Sequence, residues 1–339
     1  MHRLLVIRGG AVGDIILTLP ALGALRQAFP RAIITLVGPR DRAILAQHPC
    51  YVNHLADPEQ WELYRLFSQA PLLPNPLAET LRTCELVLSY LPTFDDTLAT
   101  NLRHYCPGEV ITWHPHPPGG VHITEHLLTP VGRFLSQPCN PVPYVYPDVT
   151  AQQVAEQFWS HAQLPRDRVI ALHPGSGGTY KLWPLAGWQQ VITWAVQQGL
   201  PGIVISGPAE QERHLHPVQL DQCPGWVVAD SLPLLHLAAI LARCQVVLGH
   251  DSGVTHLAAA VGATVLALFG PTDPLVWGPR SQRACVLHVR PPGPLTLENV
   301  SPAYVVAILG ALLQDTFTFV PSHVDCTILP LEGQHGPLT

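Results

Sequence analysis

The sequence predicts an α/β protein with parallel sheets in both of its halves. Short apolar runs rich in Val, Ile and Leu alternate with longer segments whose apolar residues recur every three to four positions. The first example is Leu4–Ile7, followed by a helical segment to about Ala28 and a second apolar run at Ile33–Val37. A strand, a helix and a strand within about 35 residues form a βαβ unit, which requires parallel strands.

The rest of the first half continues this alternation. In the first helix, Pro20 predicts a kink or a restart, and Phe29 and Pro30 end the periodic pattern. Further strands are expected at 52–55, 86–88 and 110–112, and further helices at 41–47, 76–84, 94–104 and 122–135.

The turn after the first strand, R-G-G-A-V-G-D at 8–14, does not fit a dinucleotide-binding motif. G-x-G-x-x-G ending at Gly13 needs a glycine where Arg8 stands, and the second strand ends in Gly38 and Pro39 rather than in an acidic residue that could bind ribose. A P-loop is also excluded, because the only lysine of the chain, Lys181, follows Tyr180 and not a glycine.

The second half restarts the alternation after a proline-rich stretch at 138–147, which we interpret as an interdomain linker. Strands are expected at 169–172, 203–206, 226–228, 246–248 and 264–269, and helices at 152–161, 185–198, 234–243 and 304–313. This pattern predicts domains at residues 1–145 and 146–314, with residues 315–339 as a C-terminal tail.

Composition excludes several classes of function. The net charge is −6 and no basic run occurs, so nucleic acid is not an expected partner. The eight cysteines contain no C-x-x-C pair, which argues against a zinc site and favours a reducing compartment. No apolar run reaches the ~18 residues of a membrane span, and Asp14 interrupts the stretch that most resembles a signal peptide.

Four polar turns of the second half follow predicted strands, at 173–183, 207–210, 250–256 and 270–273. Ligands of α/β sheets bind at the carboxyl ends of parallel strands, so we expect these turns to converge. The glycine-rich run 175–178 permits close backbone approach to a phosphate, and Lys181 adds a cation. Ser252 and Gly253 open a helix whose N-terminus favours anions. Together these features predict a diphosphate site.

Each of these polar residues also has a purely structural explanation. Asp251 and Ser252 are suited to capping the helix that follows them. Glu210, a candidate for binding ribose hydroxyls, is equally explained as an acidic residue in the first turn of a helix. Asp14 either stabilises the N-terminus of the first helix or, if it lines an interdomain cleft, is a candidate general base.

Five stretches carry a family resemblance. They are R-G-G-A-V-G-D-I-I-L-T-L-P-A-L-G-A-L-R at 8–26, H-P-G-S-G-G-T-Y-K-L-W-P at 173–184, G-P-A-E at 207–210, H-D-S-G-V-T-H-L-A-A-A at 250–260 and F-G-P-T-D-P at 269–274. In this order they resemble glycosyltransferase family 9, whose known members are ADP-heptose:lipopolysaccharide heptosyltransferases. The resemblance implies a GT-B architecture, in which two Rossmann-like, doubly wound parallel-sheet domains face a cleft.

The resemblance also implies roles for individual residues. Asp14 matches the catalytic base on the acceptor side, and Lys181 matches the lysine that binds the donor phosphates and stabilises the leaving group. The other donor-binding positions are Ser176 and Gly177 for phosphate, Glu210 for ribose, and the motif residues Asp251, Ser252, Gly253 and His256.

The implied reaction is an inverting, metal-independent transfer of heptose or a related sugar from an ADP-sugar to a lipopolysaccharide inner-core acceptor, without a cofactor. The implied partners are the nucleotide-sugar donor and a lipid-linked saccharide. The implied location is the cytoplasm, with peripheral contact at the inner membrane, and the oligomeric state is left open. Two alternatives remain, namely a UDP-sugar-dependent GT-B transferase or epimerase, and a non-catalytic nucleotide-sugar-binding protein.

Overall fold

The computed structural model describes residues 1–165, 168–207, 223–289 and 296–314, and the backbone of residues 326–327. The chain forms two compact units, Met1–Tyr146 and Pro147–Thr339. Each unit is built on its own sheet. Within the described residues, no helix combines the length and the apolar character needed to cross a membrane.

Five parallel strands form the sheet of the first unit. They are β1 (Arg3–Ile7), β2 (Ile33–Val37), β3 (His54–Ala56), β4 (Leu86–Ser89) and β5 (Glu109–Thr112). Their order across the sheet is β3-β2-β1-β4-β5. The last four residues of β1 are all buried, as expected for a central parallel strand that is covered on both faces.

The helices of the first unit are α1 (Val12–Ala28), α2 (Arg40–Ala43), α3 (Asn75–Thr83), α4 (Thr97–Tyr105) and α5 (Ile123–Gly132). Helix α1 packs along α5, and it continues through Pro20 as one helix instead of restarting there. Leu5 and Ile7 point to the same face of β1. They share one apolar cluster with Leu81 of α3 and Leu98 of α4.

Among the described residues, seven strands form the sheet of the second unit. They are β6 (Ile170–His173), β7 (Gly202–Ser206), β8 (Trp226–Asp230), β9 (Val246–His250), β10 (Thr264–Phe269), β11 (Ala284–Val289) and β12 (Cys326–Thr327). Their order is β12-β11-β10-β9-β6-β7-β8, and all neighbouring strands are parallel except β12, which runs antiparallel to β11. The order from β8 to β10 repeats the order from β3 to β5 in the first unit.

This shared strand order creates a switch point in each sheet. The first strand of each unit, β1 or β6, lies between the second and the fourth strand of that unit. The chain therefore leaves the first strand toward one side of the sheet and later returns to its other side. The loops that follow the two adjacent strands diverge at such a point, and α/β proteins bind ligands in the crevice between them.

In the part of the second unit that the structure describes, the helices are α6 (Val149–His161), α7 (Leu185–Gln197), α8 (Leu234–Leu241), α9 (Gly253–Ala260), α10 (Pro274–Trp277) and α11 (Pro302–Leu313). Helix α7 packs against α11, and a core cluster joins Trp183, Trp188 and Leu309 to the sheet. A Cβ atom at Gly202 would lie 2.5 Å from the Trp226 ring, so β7 needs glycine where this indole packs.

The two parallel α/β sheets predicted from the sequence are confirmed. The sequence does not predict β11, because its six residues adjoin a proline-rich segment that lacks a clear pattern. Strand β12 lies within residues 315–339, the expected C-terminal tail. The remainder of that tail lies outside the described residues.

Candidate active site

The switch point of the second unit brings two predicted loops together. Strand β6 ends at His173, which pairs with Gly249 near the end of β9. The glycine-rich loop after β6 and the D-S-G turn after β9 therefore begin side by side. Their proximity follows from the strand order, although about 75 residues separate them along the chain.

Asp251 connects these two loops. Its carboxylate forms an ion pair with Lys181, and its carbonyl oxygen accepts a hydrogen bond from Ser176 Oγ at 3.1 Å. The side chains of Lys181 and Asp251 are 21% and 10% exposed, so the pair lies mostly out of solvent with one open side. Three of the predicted donor-binding residues thus form a single polar cluster.

Ser252, rather than Asp251, caps helix α9. Ser252 Oγ accepts a hydrogen bond from the backbone N–H of Thr255 at 3.4 Å and lies 3.3 Å from Nδ1 of His173. The helix begins at Gly253, and the side chain of His256 is buried in its first turn. The capping explanation therefore holds for Ser252, while the Asp251 carboxylate faces Lys181.

Two glycines near this cluster differ in whether their surroundings leave room for a side chain. A Cβ at Gly249 would lie 2.6 Å from Thr255 Oγ1, so the close approach of α9 to β9 needs glycine there. A Cβ at Gly177 would meet no atom within 4 Å, and its backbone φ is not in the left-handed region. The fold itself therefore tolerates a side chain at Gly177.

Asp14 is the third residue of α1, directly after the turn that follows β1. Its Oδ2 accepts a hydrogen bond from the backbone N–H of Ala11 at 2.7 Å, and its Oδ1 accepts one from Arg8 Nη2 at 2.9 Å. A carboxylate has about four lone-pair sites, so two hydrogen bonds leave acceptor capacity. The side chain is 28% exposed, which leaves it accessible from solvent.

Arg8 is a site residue that the sequence analysis overlooks. It follows β1 directly and is only 4% exposed. Its Nε donates to Thr18 Oγ1 at 3.1 Å, and Thr18 in turn donates to the carbonyl oxygen of Asp14 at 2.7 Å. Burial lowers the pKa of Arg8, and the Asp14 carboxylate opposes this effect. The sequence does contain a signal for this role, since Arg8 is a charged residue directly after an apolar strand and six positions before an acidic residue.

The turn between Arg8 and Asp14 is built closely around the carboxylate. Gly10 has a φ of +106°, and a Cβ there would lie 2.5 Å from Asp14 Oδ2. The carbonyl oxygen of Gly10 also accepts a hydrogen bond from Arg42 Nη1 at 2.8 Å. Both the backbone conformation and the close contact require glycine at this position.

The predicted site residues thus fall into three groups according to where the structure places them. Ser176, Gly177, Lys181 and the D-S-G motif lie together at the switch point of the second unit. Asp14 belongs to the first unit and has its own partners there. Glu210 lies outside the described residues. Among the described residues, no three or more His, Cys, Asp or Glu side chains are grouped so that they could hold a metal ion.

Comparison with known proteins points to one family. Residues 139–296 match Glycosyltransferase family 9 (heptosyltransferase). Lipopolysaccharide heptosyltransferase 3 of Escherichia coli is 23% identical over 290 residues, which cover 79% of this chain and 84% of that protein.

Two solved structures share the fold of this chain. A glycosyl transferase family 9 structure from Veillonella parvula superposes with a TM-score of 0.77 at 21% identity, covering 93% of this chain and 98% of that one. ADP-heptose lps heptosyltransferase II of E. coli superposes with a TM-score of 0.72 at 20% identity, covering 93% and 99%.

Two α/β units of this strand order, together with these structural neighbours, show that the chain has the GT-B fold. The family match and the related sequences indicate that a chain with this fold is a glycosyltransferase. Residues 139–296 thus resemble glycosyltransferase family 9, and most of the chain is similar to a lipopolysaccharide heptosyltransferase.

Proposed function

We propose that this protein transfers heptose from ADP-heptose to a sugar of the lipopolysaccharide inner core, with inversion at the anomeric carbon and without a metal ion. The observation that carries the proposal is the pairing of Lys181 with Asp251 at the switch point of the second unit. The names of the related proteins, lipopolysaccharide heptosyltransferase 3 and ADP-heptose lps heptosyltransferase II, supply the donor and the acceptor class.

The donor diphosphate would bind between the loop after β6 and the N-terminus of α9. A lysine ammonium has three N–H donors. Asp251 takes one donor of Lys181, which fixes the direction of the side chain, and two donors remain for phosphate oxygens. The first turn of α9 adds backbone N–H groups and the positive end of the helix dipole. Gly177 would let the phosphate approach the backbone closely.

Asp14 would act as the general base. Its carboxylate would take the proton from the acceptor hydroxyl while the hydroxyl oxygen attacks the anomeric carbon of the donor sugar. As the bond from that carbon to ADP breaks, negative charge develops on the diphosphate, where Lys181 would stabilise it. Arg8 holds Oδ1 of Asp14 at 2.9 Å and so restricts the carboxylate to one orientation.

Metal independence is proposed because groups of the chain itself could stabilise the negative charge of the diphosphate. Lys181 and the N-terminus of α9 supply positive charge where the diphosphate would bind. The acceptor would be a lipid-linked saccharide, and the protein would reach it at the cytoplasmic face of the inner membrane by peripheral contact.

The donor proposal is tested by calorimetric titration with ADP, UDP and GDP, each with and without EDTA. We expect ADP to bind most tightly and EDTA to leave its affinity unchanged. Tighter binding of UDP, or loss of binding in EDTA, would contradict the proposal. Because Lys181 is the only lysine, an amine-acylating reagent modifies only this side chain and the α-amino group. ADP should slow acylation of Lys181 and leave the α-amino group unaffected.

The transfer itself is tested with ADP-heptose and lipopolysaccharide acceptors truncated at successive inner-core positions. Product analysis by mass spectrometry identifies the accepting sugar, and NMR of the new linkage reports the anomeric configuration. Retention of configuration would contradict the inverting mechanism. Transfer from a UDP-sugar but not from ADP-heptose would contradict the donor assignment.

A further inference from the structure

His250 is a buried histidine for which the mechanism above has no use. It is the last residue of β9 and is 0% exposed. Its Nε2 lies 2.8 Å from the backbone nitrogen of Trp183, and its Nδ1 lies 3.2 Å from the carbonyl oxygen of Gly175. A backbone N–H only donates, so Nε2 carries no proton and the ring proton is on Nδ1. The neutral imidazole therefore donates to Gly175 and accepts from Trp183.

These two hydrogen bonds hold both ends of one segment. We call residues 175–183 the donor loop, because it carries Ser176, Gly177 and Lys181. Asp251, the residue after His250, holds the interior of the donor loop through Ser176 and Lys181. The last residue of β9 and the residue that follows it thus contact the donor loop at four points.

The orientation of the His250 ring is itself fixed. The ring meets Trp188 edge to face, with the ring centroids 5.1 Å apart and the planes at 82°. Trp188 is also 0% exposed and belongs to the core of the second unit. The ring is therefore held in the direction that both of its hydrogen bonds need.

We infer that His250 is a positioning residue for nucleotide binding. A fully buried side chain cannot touch the nucleotide, so His250 acts through the donor loop by fixing where Ser176 and Lys181 stand. This inference rests on the proposed function only in assigning nucleotide binding to the donor loop. The predicted consequence is selective. Affinity for the donor depends on His250, because the free donor loop needs it to stay ordered, whereas in the bound complex Asp251 and the diphosphate also hold Lys181.

Three substitutions separate the two hydrogen bonds. His250→Phe keeps an aromatic ring against Trp188 but leaves the Gly175 carbonyl and the Trp183 N–H without their partner. His250→Gln places an amide oxygen near the position of Nε2 and restores an acceptor for Trp183. His250→Asn places an amide nitrogen near the position of Nδ1 and restores a donor for Gly175.

We expect the donor KM and the ADP Kd to rise about tenfold in His250→Phe and about threefold in each amide variant, because a buried polar group without its partner is costly. The kcat at saturating donor should stay within about twofold of wild type, since in the bound complex Asp251 and the donor diphosphate still hold Lys181 in place. His126→Phe is a matched control. His126 is also buried and bonds a backbone carbonyl, that of His114 at 2.7 Å, but it lies in the first unit.

The test combines hydrogen–deuterium exchange of the nucleotide-free protein with ADP calorimetry and donor kinetics. Faster exchange in peptides covering 175–183, together with weaker ADP binding in the His250 variants but not in His126→Phe, supports the inference. Unchanged exchange, or faster exchange with unchanged ADP affinity, overturns it. If His250→Phe does not fold, the two amide variants decide the question. If the wild-type protein binds no ADP, the proposed function and the nucleotide-binding part of this inference both fail, while exchange still reports whether His250 holds the donor loop.

Discussion

Replacing Asp14 by Asn should affect stability and turnover for two different reasons. The substitution removes the negative charge beside Arg8, whose guanidinium is 4% exposed. Breaking a buried ion pair costs about 3–5 kcal/mol, and water reaches the 28% exposed Asp14 side chain and offsets part of this cost. An amide also offers one acceptor and one donor group where Asp14 accepts two hydrogen bonds through separate oxygens.

We therefore expect the Asp14→Asn protein to lose about 2–3 kcal/mol of unfolding free energy, since it keeps one of the two hydrogen bonds. For a unit of this size, each kcal/mol lowers Tm by about 2–4 °C, so Tm should fall by about 4–12 °C. Native domains have about 5–15 kcal/mol of stability, so the variant remains folded at assay temperature. Turnover should nevertheless fall ~10²-fold or more, because an amide cannot accept the proton.

Thermal melting followed by circular dichroism measures the first effect, and initial rates of heptose transfer at saturating donor measure the second. Asp41→Asn is the matched control, because Asp41 pairs with Arg42 at 70% exposure and its loss should change neither quantity. In Arg8→Gln/Asp14→Asn, Tm should recover in part while turnover stays low. Turnover of folded Asp14→Asn within about threefold of wild type would refute the assignment of Asp14 as general base.

Further predictions concern Gly177, Lys181 and the buried thiol of Cys244. Gly177→Ala should melt within about 2 °C of wild type, because a Cβ there meets no atom within 4 Å, yet ADP affinity measured by calorimetry should fall severalfold; unchanged affinity would contradict backbone contact with phosphate. Lys181→Gln should lower kcat/KM for the donor ~10²-fold. Added salt screens charge interactions, so it should make the difference between wild type and variant smaller. A smaller loss that is the same at low and high salt would argue against a charge contact. Burial raises the pKa of Cys244 to about 12, so iodoacetamide at pH 8 should label the exposed Cys50 before Cys244, as mass spectrometry would show. Because the thiol pKa is higher in the folded state, Cys244 contributes stability that is lost as pH rises from about 9 toward 12, which pH-dependent denaturant unfolding measures.

The sequence predicts most elements of this fold because each strand and helix carries its own apolar pattern. Ile33–Val37 and Thr264–Phe269 have the predicted limits. Strand β8, in contrast, is predicted to end at 228 but continues to Asp230. Backbone pairing of Ser206 with Asp230 extends the strand, and such pairing does not depend on an apolar side chain.

The candidate site is less accessible to sequence reasoning, because its contacts depend on strand order. That the loops after β6 and β9 share an edge follows from the general geometry of parallel sheets. Asp251 can face Lys181, while Ser252 caps the helix, only because β6 and β9 are neighbours. No local sequence pattern encodes this neighbourhood. His250 and Arg8 have polar side chains at the ends of buried strands, and their roles become visible only with their partners.

The strand order of the second unit also determines when the site can form during folding. Lys181 and Ser176 find their partner 70 and 75 residues further along the chain. A growing chain that has not yet reached the end of β9 holds the complete glycine-rich loop but lacks His250 and Asp251, which bind it. Contacts of such sequence separation require a large loop to close, which makes them late events in folding. An ordered loop therefore reports that β9 has paired with β6, so under the proposed function nucleotide affinity would serve as a probe of this pairing.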